Sequence, residues 1–277
     1  QTSDTLDASY LNATFEITYV NANTYTITVQ KTPVASLSGG GSSVVVYPEY
    51  GTRGWGSAYS SGIGQQLRLW SNDNFGADLV LAPRGGAIFY WQDAGGVSTR
   101  AQSLSSLATT AGYSGAYVPN STYQVISSAI QEFVIAFGAN SYSPNNAATA
   151  FNPMIVRWSD QANQYQWIPQ VTNQSGEFTL TNGSYIMSAR TTRQEILVWT
   201  DSALYSMQYL GPPYIWSFQV LMDNISVISP NCMVTVNNVT YWMGKEKFYI
   251  YSGTVQTLPC SLRQYIFDDI NQTQSYQ

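Results

Sequence analysis

A chain of 277 residues can bury a sizeable core, either as one large all-β domain or as two smaller ones. Charged residues are only 10%, with 11 Lys and Arg against 16 Asp and Glu, a net charge of −5 and no histidine. This argues against a dedicated basic nucleic-acid binder, against a disordered acidic chain, and against the usual Ser-His-Asp and Cys-His machinery.

Leu6–Tyr50 reads as a small β unit, an insert or an arm. Phe15, Ile17 and Tyr19 alternate with Thr14, Glu16 and Thr18, then Tyr25, Ile27 and Val29 with Thr24, Thr26 and Thr28, which is strand periodicity. Ser36–Ser43 is a flexible glycine-rich connection, and Val44–Tyr47 a third strand stopped by Pro48. Gly51–Gly64 keeps no regular pattern and reads as a loop packed by its own aromatics.

One hairpin then recurs. Asp78–Trp91 reads LVLA, PRGG, AIFYW. Phe133–Phe137 reads FVIAF with a turn at Gly138. Met154–Trp158 reads MIVRW and returns as Tyr165–Ile168. Glu195–Tyr209 reads EILVWTDSALYSMQY, and Val239–Tyr251 runs from VTYWM through Gly244–Glu246 to KFYIY. The openings at Leu79, Phe133, Ile196 and Val239 lie 54, 63 and 43 residues apart, near the length of a four-stranded blade. Leu104, Leu107, Ala108 and Ala111 sit at helical spacing. Further short strands are expected at Glu177–Leu180, Tyr185–Ala189, Trp216–Leu221 and Met233–Val236. The expected fold is all-β: a β-propeller-like array of short antiparallel sheets at 51–277 with a small N-terminal β-sandwich-like unit or insertion at 1–50. Trp199 and Trp242 are expected to be buried.

Chemistry is sparse. No nucleophile elbow or phosphate loop occurs, and the carboxylates scatter, with Asp268–Asp269 the one adjacent pair. Asn72, Asp73, Asn74 and Asp78 around Gly76 could supply oxygen ligands to calcium, but the spacing fits a capped loop before the Leu79 strand better. Seven Asn-x-Ser/Thr sequons, at Asn12, Asn120, Asn173, Asn182, Asn224, Asn238 and Asn271, read as composition. Cys232 and Cys260 could form one bridge, with free, buried thiols the expected state. Trp55, Tyr59, Trp70, Tyr90, Trp91, Trp167, Tyr214 and Trp216 could stack on sugars, though packing between sheets or subunits suits their contexts better. No catalytic, cofactor-binding or metal residues, and no enzymatic activity, are expected. No apolar run is long enough for a membrane-spanning helix.

Several long phrases resemble a family of virion structural proteins from tailed bacteriophages, those of the tail nozzle or tail hub. They are Leu67–Trp91, Phe133–Gly138, Ile155–Gln161, Thr192–Gly211 and Tyr241–Asn271, together with Gly54–Gly56 and Leu11–Val29. The resemblance implies a subunit of a ring, a homohexamer by family order, in contact with adaptor proteins and tail fibres. Its expected role is to hold the DNA channel closed in the virion and to let duplex DNA pass without specific binding. It implies a protein made in the bacterial host cytoplasm and located in the virion. Family members run longer, so the propeller-like domain is expected to be incomplete at both ends. A receptor- or glycan-binding propeller is the alternative.

Overall fold

The computed structural model describes residues 17–21, 24–27, 69–145 and 149–272. The chain divides into two compact units, Gln1–Ser60 and Ser61–Gln277. In the first, β1 (Ile17–Asn21) and β2 (Thr24–Ile27) form an antiparallel hairpin whose register shifts between Tyr19 and Asn21. The expected strand Val44–Tyr47 and the Gly51–Gly64 loop lie outside the described residues.

The described part of the second unit contains four antiparallel sheets of four strands each, and in every sheet the spatial order is the chain order. The first holds β3 (Trp70–Phe75), β4 (Asp78–Pro83), β5 (Phe89–Trp91) and β6 (Gln102–Ser103). The second holds β7 (Thr122–Ser128), β8 (Phe133–Asn140), β9 (Phe151–Trp158) and β10 (Gly176–Thr179). The third holds β11 (Ile186–Thr191), β12 (Ile196–Thr200), β13 (Ala203–Gly211) and β14 (Ile215–Asp223). The fourth holds β15 (Met233–Val236), β16 (Val239–Met243), β17 (Phe248–Tyr251) and β18 (Val255–Leu258). Helix α1 (Leu104–Thr110) follows β6, and its N-cap Ser103 accepts from the Ser106 N–H. Helix α2 (Arg263–Asp269) follows β18.

Strand alternation explains how the sheets stack. Side chains of one strand point to opposite faces in turn. On β8, Val134 and Ala136 pack with Val80, Ala82 and Tyr90 of the first sheet. Phe133, Ile135 and Phe137 point the other way and pack with Ile196, Val198 and Tyr205 of the third. On β12 the same switch sends Leu197 and Trp199 against Met233, Trp242 and Tyr251 of the fourth. Every residue of β8 and of β12 is buried, as expected for strands covered on both faces. Each of the two middle sheets thus has a front that meets the sheet before it and a back that meets the sheet after it. The three hydrophobic clusters are the three seams between consecutive sheets. Successive four-stranded meanders stacked this way form a β-propeller-like array, and the four repeated openings are the second strands of the four sheets.

Three local expectations are corrected. Residues Trp70–Phe75, WSNDNF, are not a capped loop but strand β3. Their turn-like polar composition serves contacts with β7, described below. Gly138 does not end its strand: β8 continues to Asn140, with a register shift between Phe137 and Ala139 at the glycine. A φ of +60° and a Cβ position only 2.6 Å from the Tyr123 ring explain glycine at this bulge. Tyr165–Ile168 is not the strand that returns from β9; that strand is β10. Trp167 instead fills the first seam from a loop, its indole donating to the Gln164 carbonyl at 2.8 Å.

Candidate axial cleft

Strand β3 lies against β7, and β7 against β11, so the first strands of consecutive sheets gather on one side of the stack. A cleft of about 360 Å³ opens there, lined among others by Trp70, Asp73, Arg84, Gln124, Arg190 and Asn231. All four described sheets or their leading segments contribute to it.

Its polar side chains are engaged in holding neighbouring sheets together. From the first sheet, Ser71 Oγ accepts from the Val125 N–H at 3.0 Å, and Asp73 Oδ2 accepts from the Ser127 N–H at 3.0 Å. These bonds explain why a polar strand is stable here: its hydroxyl and carboxylate satisfy backbone donors of β7. From the second sheet, the Gln124 amide donates to the Ala189 carbonyl at 2.8 Å and accepts from the Ala189 N–H at 2.8 Å. It thereby imitates one rung of a strand ladder. The Ser188 hydroxyl also donates to it at 3.0 Å. Arg84 reaches from the first sheet to the third, donating to the Met187 and Ile186 carbonyls at 3.0 and 3.2 Å, with its guanidinium 4.3 Å from the Tyr123 ring centre. Arg190 donates to the Met233 carbonyl of the fourth sheet at 3.4 Å.

Gln124→Met keeps the length of the side chain and removes the rung. The expected outcome is a loss of about 1–2 kcal/mol in urea unfolding, because the Ala189 backbone pair loses its partner.

Away from the axis, Glu195 joins the third and fourth sheets. Its carboxylate accepts from the Tyr251 hydroxyl at 2.7 Å and from the Ser206 hydroxyl. The Tyr251 phenol is pushed above the ordinary tyrosine value, first by burial, then by this bond and the charge of Glu195. Tyr90 is raised for the same reasons, with Asp78 as its acceptor at 2.8 Å. A phenol kept neutral in the fold contributes stability that is full below the unfolded value near 10 and is lost as pH rises beyond it. Arg157 works in the opposite sense, since burial pulls it down to about 10. The expected net result is a fall in melting temperature above about pH 10. Replacing Tyr90 and Tyr251 together by Phe should remove most of that fall.

Among the described residues no three His, Cys, Asp or Glu side chains converge as metal ligands. Asp73, one of the calcium candidates, is bound to backbone N–H groups of Ser127 and Asn74. Cys232 and Cys260 are unbonded and half-buried rather than buried; burial nevertheless pushes the Cys232 thiol up. Of the aromatic candidates, Tyr90, Trp167 and Trp216 are buried in seams, while Trp70 and Tyr214 are exposed. Trp55 and Tyr59 lie outside the described residues. Among the described residues, no helix is long and apolar enough to cross a membrane.

The sequence reading missed β7 and the cleft. For β7 the available signal was the β-branched and aromatic content of Thr122–Ser128, TYQVISS.

No protein-family model matches the chain, and no curated protein does. Among solved structures it is similar to Hsv2 of Kluyvelomyces marxianus, with a TM-score of 0.37, 9% identity, and coverage of 66% of this chain and 44% of that one. It is also similar to the extracellular domain of the hybrid two-component system BT4673 from B. thetaiotaomicron. There the TM-score is 0.38 with 16% identity, over 70% of this chain and 22% of the other. The chain spans less than half of either protein, and neither likeness bears on function. The propeller-like class rests on strand order and stacking.

Proposed function

We propose that this chain is a non-catalytic structural subunit of a bacteriophage tail ring, of the nozzle or hub kind, through which the genome passes. The observation that carries the structural half of this reading is the engagement of the axial polar groups. Ser71, Asp73, Arg84, Gln124 and Arg190 bond neighbouring sheets, which suits a rigid platform. The tail setting is supported by the long phrases that resemble the nozzle family. A cleft of about 360 Å³ cannot admit duplex DNA, so the channel of this proposal lies between copies and not along the axis of one. Few basic residues are available to grip phosphates there, with 11 Lys and Arg in 277 residues. Electron microscopy of the full-length protein with its neighbouring tail proteins is expected to show a closed ring, six-fold if family order holds. A protein that stays monomeric with those partners, or tight low-salt binding of duplex DNA by the isolated chain, overturns this reading.

A receptor- or glycan-binding module is the second reading. It is favoured by Tyr214, 77% exposed on the β13–β14 connection, with Leu210 of β13 also exposed. Saturable binding to a glycan panel, lost in Tyr214→Ala, would favour it over the tail ring.

A further inference from the structure

We propose that Asn182 is a modification site, where the side-chain amide is lost by cyclisation onto the Gly183 nitrogen when the turn before β11 opens. Asn182–Gly183 is the one Asn–Gly pair in the 277 residues. Glycine has no Cβ to shield its backbone nitrogen from the side chain that precedes it.

The step balances with water as the only co-reactant. The Gly183 nitrogen bonds to Asn182 Cγ and gives up its proton. The Cγ–Nδ2 bond breaks, and ammonia leaves with that proton. Water then opens the cyclic imide at either of its two carbonyls. One product carries aspartate at 182, and the other routes the backbone through the side chain. Nothing is oxidised or reduced.

The fold binds one reacting group and leaves the other unengaged. The Asn182 N–H donates to the Tyr205 hydroxyl at 2.7 Å, and its carbonyl accepts from the Thr200 hydroxyl at 2.8 Å. Its Nδ2 donates to Asp223 Oδ1 at 2.6 Å, and its Oδ1 accepts from the Thr181 hydroxyl at 3.0 Å. The next N–H groups, of Ser184 and Tyr185, both donate to Asp201 Oδ1, at 2.7 and 3.5 Å. Between them the Gly183 N–H has no hydrogen-bond partner among the described residues, and Gly183 is exposed. To cyclise, the Asn182 side chain must leave Asp223 and swing towards that nitrogen. The Tyr205 and Thr200 bonds restrain the backbone on both sides of its Cα. Reaction therefore runs through local opening of the turn, and its rate follows the open population.

The product cannot rebuild the turn. Aspartate at 182 sets a carboxylate against Asp223 where an N–H donated before, and the like charges repel. The turn links β10 of the second sheet to β11 of the third, so the damage falls on that link. The inference does not depend on the tail setting.

Peptide mapping by mass spectrometry tests it, on the whole chain kept folded in mildly alkaline buffer. Asn182 is expected to gain one mass unit ahead of every other asparagine, the exposed Asn224 and Asn238 included. Asp223→Ala and Tyr205→Phe are each expected to speed the reaction about fivefold, the rise in open population that follows loss of one ordinary hydrogen bond. Gln124→Met loosens the axis but leaves this turn intact, so the rate is expected to stay at the wild-type value. Asp223 is exposed, so Asp223→Ala decides the matter alone if circular dichroism shows Tyr205→Phe to be unfolded. An Asn182 no faster than Asn224 or Asn238 overturns the proposal. So does a rate unmoved by Asp223→Ala, or one raised as much by Gln124→Met, which would mean reaction from the globally unfolded chain.

Discussion

Trp199→Ala is expected to lower the unfolding free energy by about 3–5 kcal/mol, the usual cost of removing a large aromatic from a close-packed site. Trp199 is 0% exposed in the seam between the third and fourth sheets. Its ring meets Trp242 edge-on at 5.5 Å, and Leu197, Leu204 and Met233 belong to the same cluster. The neighbours are rigid strands of two different sheets and cannot collapse onto the void without shifting their ladders. Trp199→Phe should cost only about 1–2 kcal/mol, because much of the ring is kept. The indole N–H of Trp199 has no hydrogen-bond partner among the described residues, so no bond is lost with it. Urea unfolding of both variants checks the pair. An unshifted transition for Trp199→Ala would mean that this seam does not hold the fourth sheet.

Arg157→Met is expected to cost a similar amount, about 3–5 kcal/mol, by a different route. Arg157 is 3% exposed within the apolar, buried run Met154–Trp158 of β9. Its guanidinium donates to the Asn140, Tyr117 and Trp167 carbonyls at 3.0–3.1 Å and lies 3.7 Å from the Glu177 carboxylate. One cation therefore ties the end of β8, the turn at Tyr117 and the loop at Trp167 to β9. Methionine fills the volume but leaves the carbonyls without this donor and Glu177 without its cation. Arg157→Lys keeps the charge, yet an ammonium lacks the planar fork that reaches three acceptors, so an intermediate loss is expected. Thermal melting of the two variants separates the two contributions. Equal stability of the Met and Lys variants would show that charge contributes nothing beyond geometry, and a Lys variant as stable as the wild type would show the reverse.

The repeated hairpins were legible because apolar alternation and tight turns are local. Met233–Val236, Val239–Met243 and Phe248–Tyr251 are strands with the bounds their residues imply. Helix α1 also follows from spacing, with Leu104 and Ala108 buried on its inner side. Burial of Trp199 follows from a long apolar run, which leaves no face for water, while Trp242 is buried on the face of β16 that meets the third sheet. The β-rich class and the second strand of every sheet were thus set by short-range pattern.

Other features were decided only by tertiary structure. Strand β3 is polar because its partners are backbone donors of β7, 54 residues away in sequence for both Ser71–Val125 and Asp73–Ser127. Nothing local in WSNDNF distinguishes such a strand from a loop. Likewise Trp167 fills the first seam from a loop, which its strand-like neighbours Tyr165 and Ile168 conceal. The axial cleft exists only where four sheets converge, and Gln124 acts there through a backbone 65 residues distant. Arg157 is a charge within the apolar run MIVRW, and its three acceptors come from a strand end, a turn and a loop at separations of 10 to 40 residues. Local sequence determines which residues alternate and therefore which segments become strands. Which face of a sheet meets which neighbour depends on stacking order, and side chains that bond across sheets take their meaning from that order.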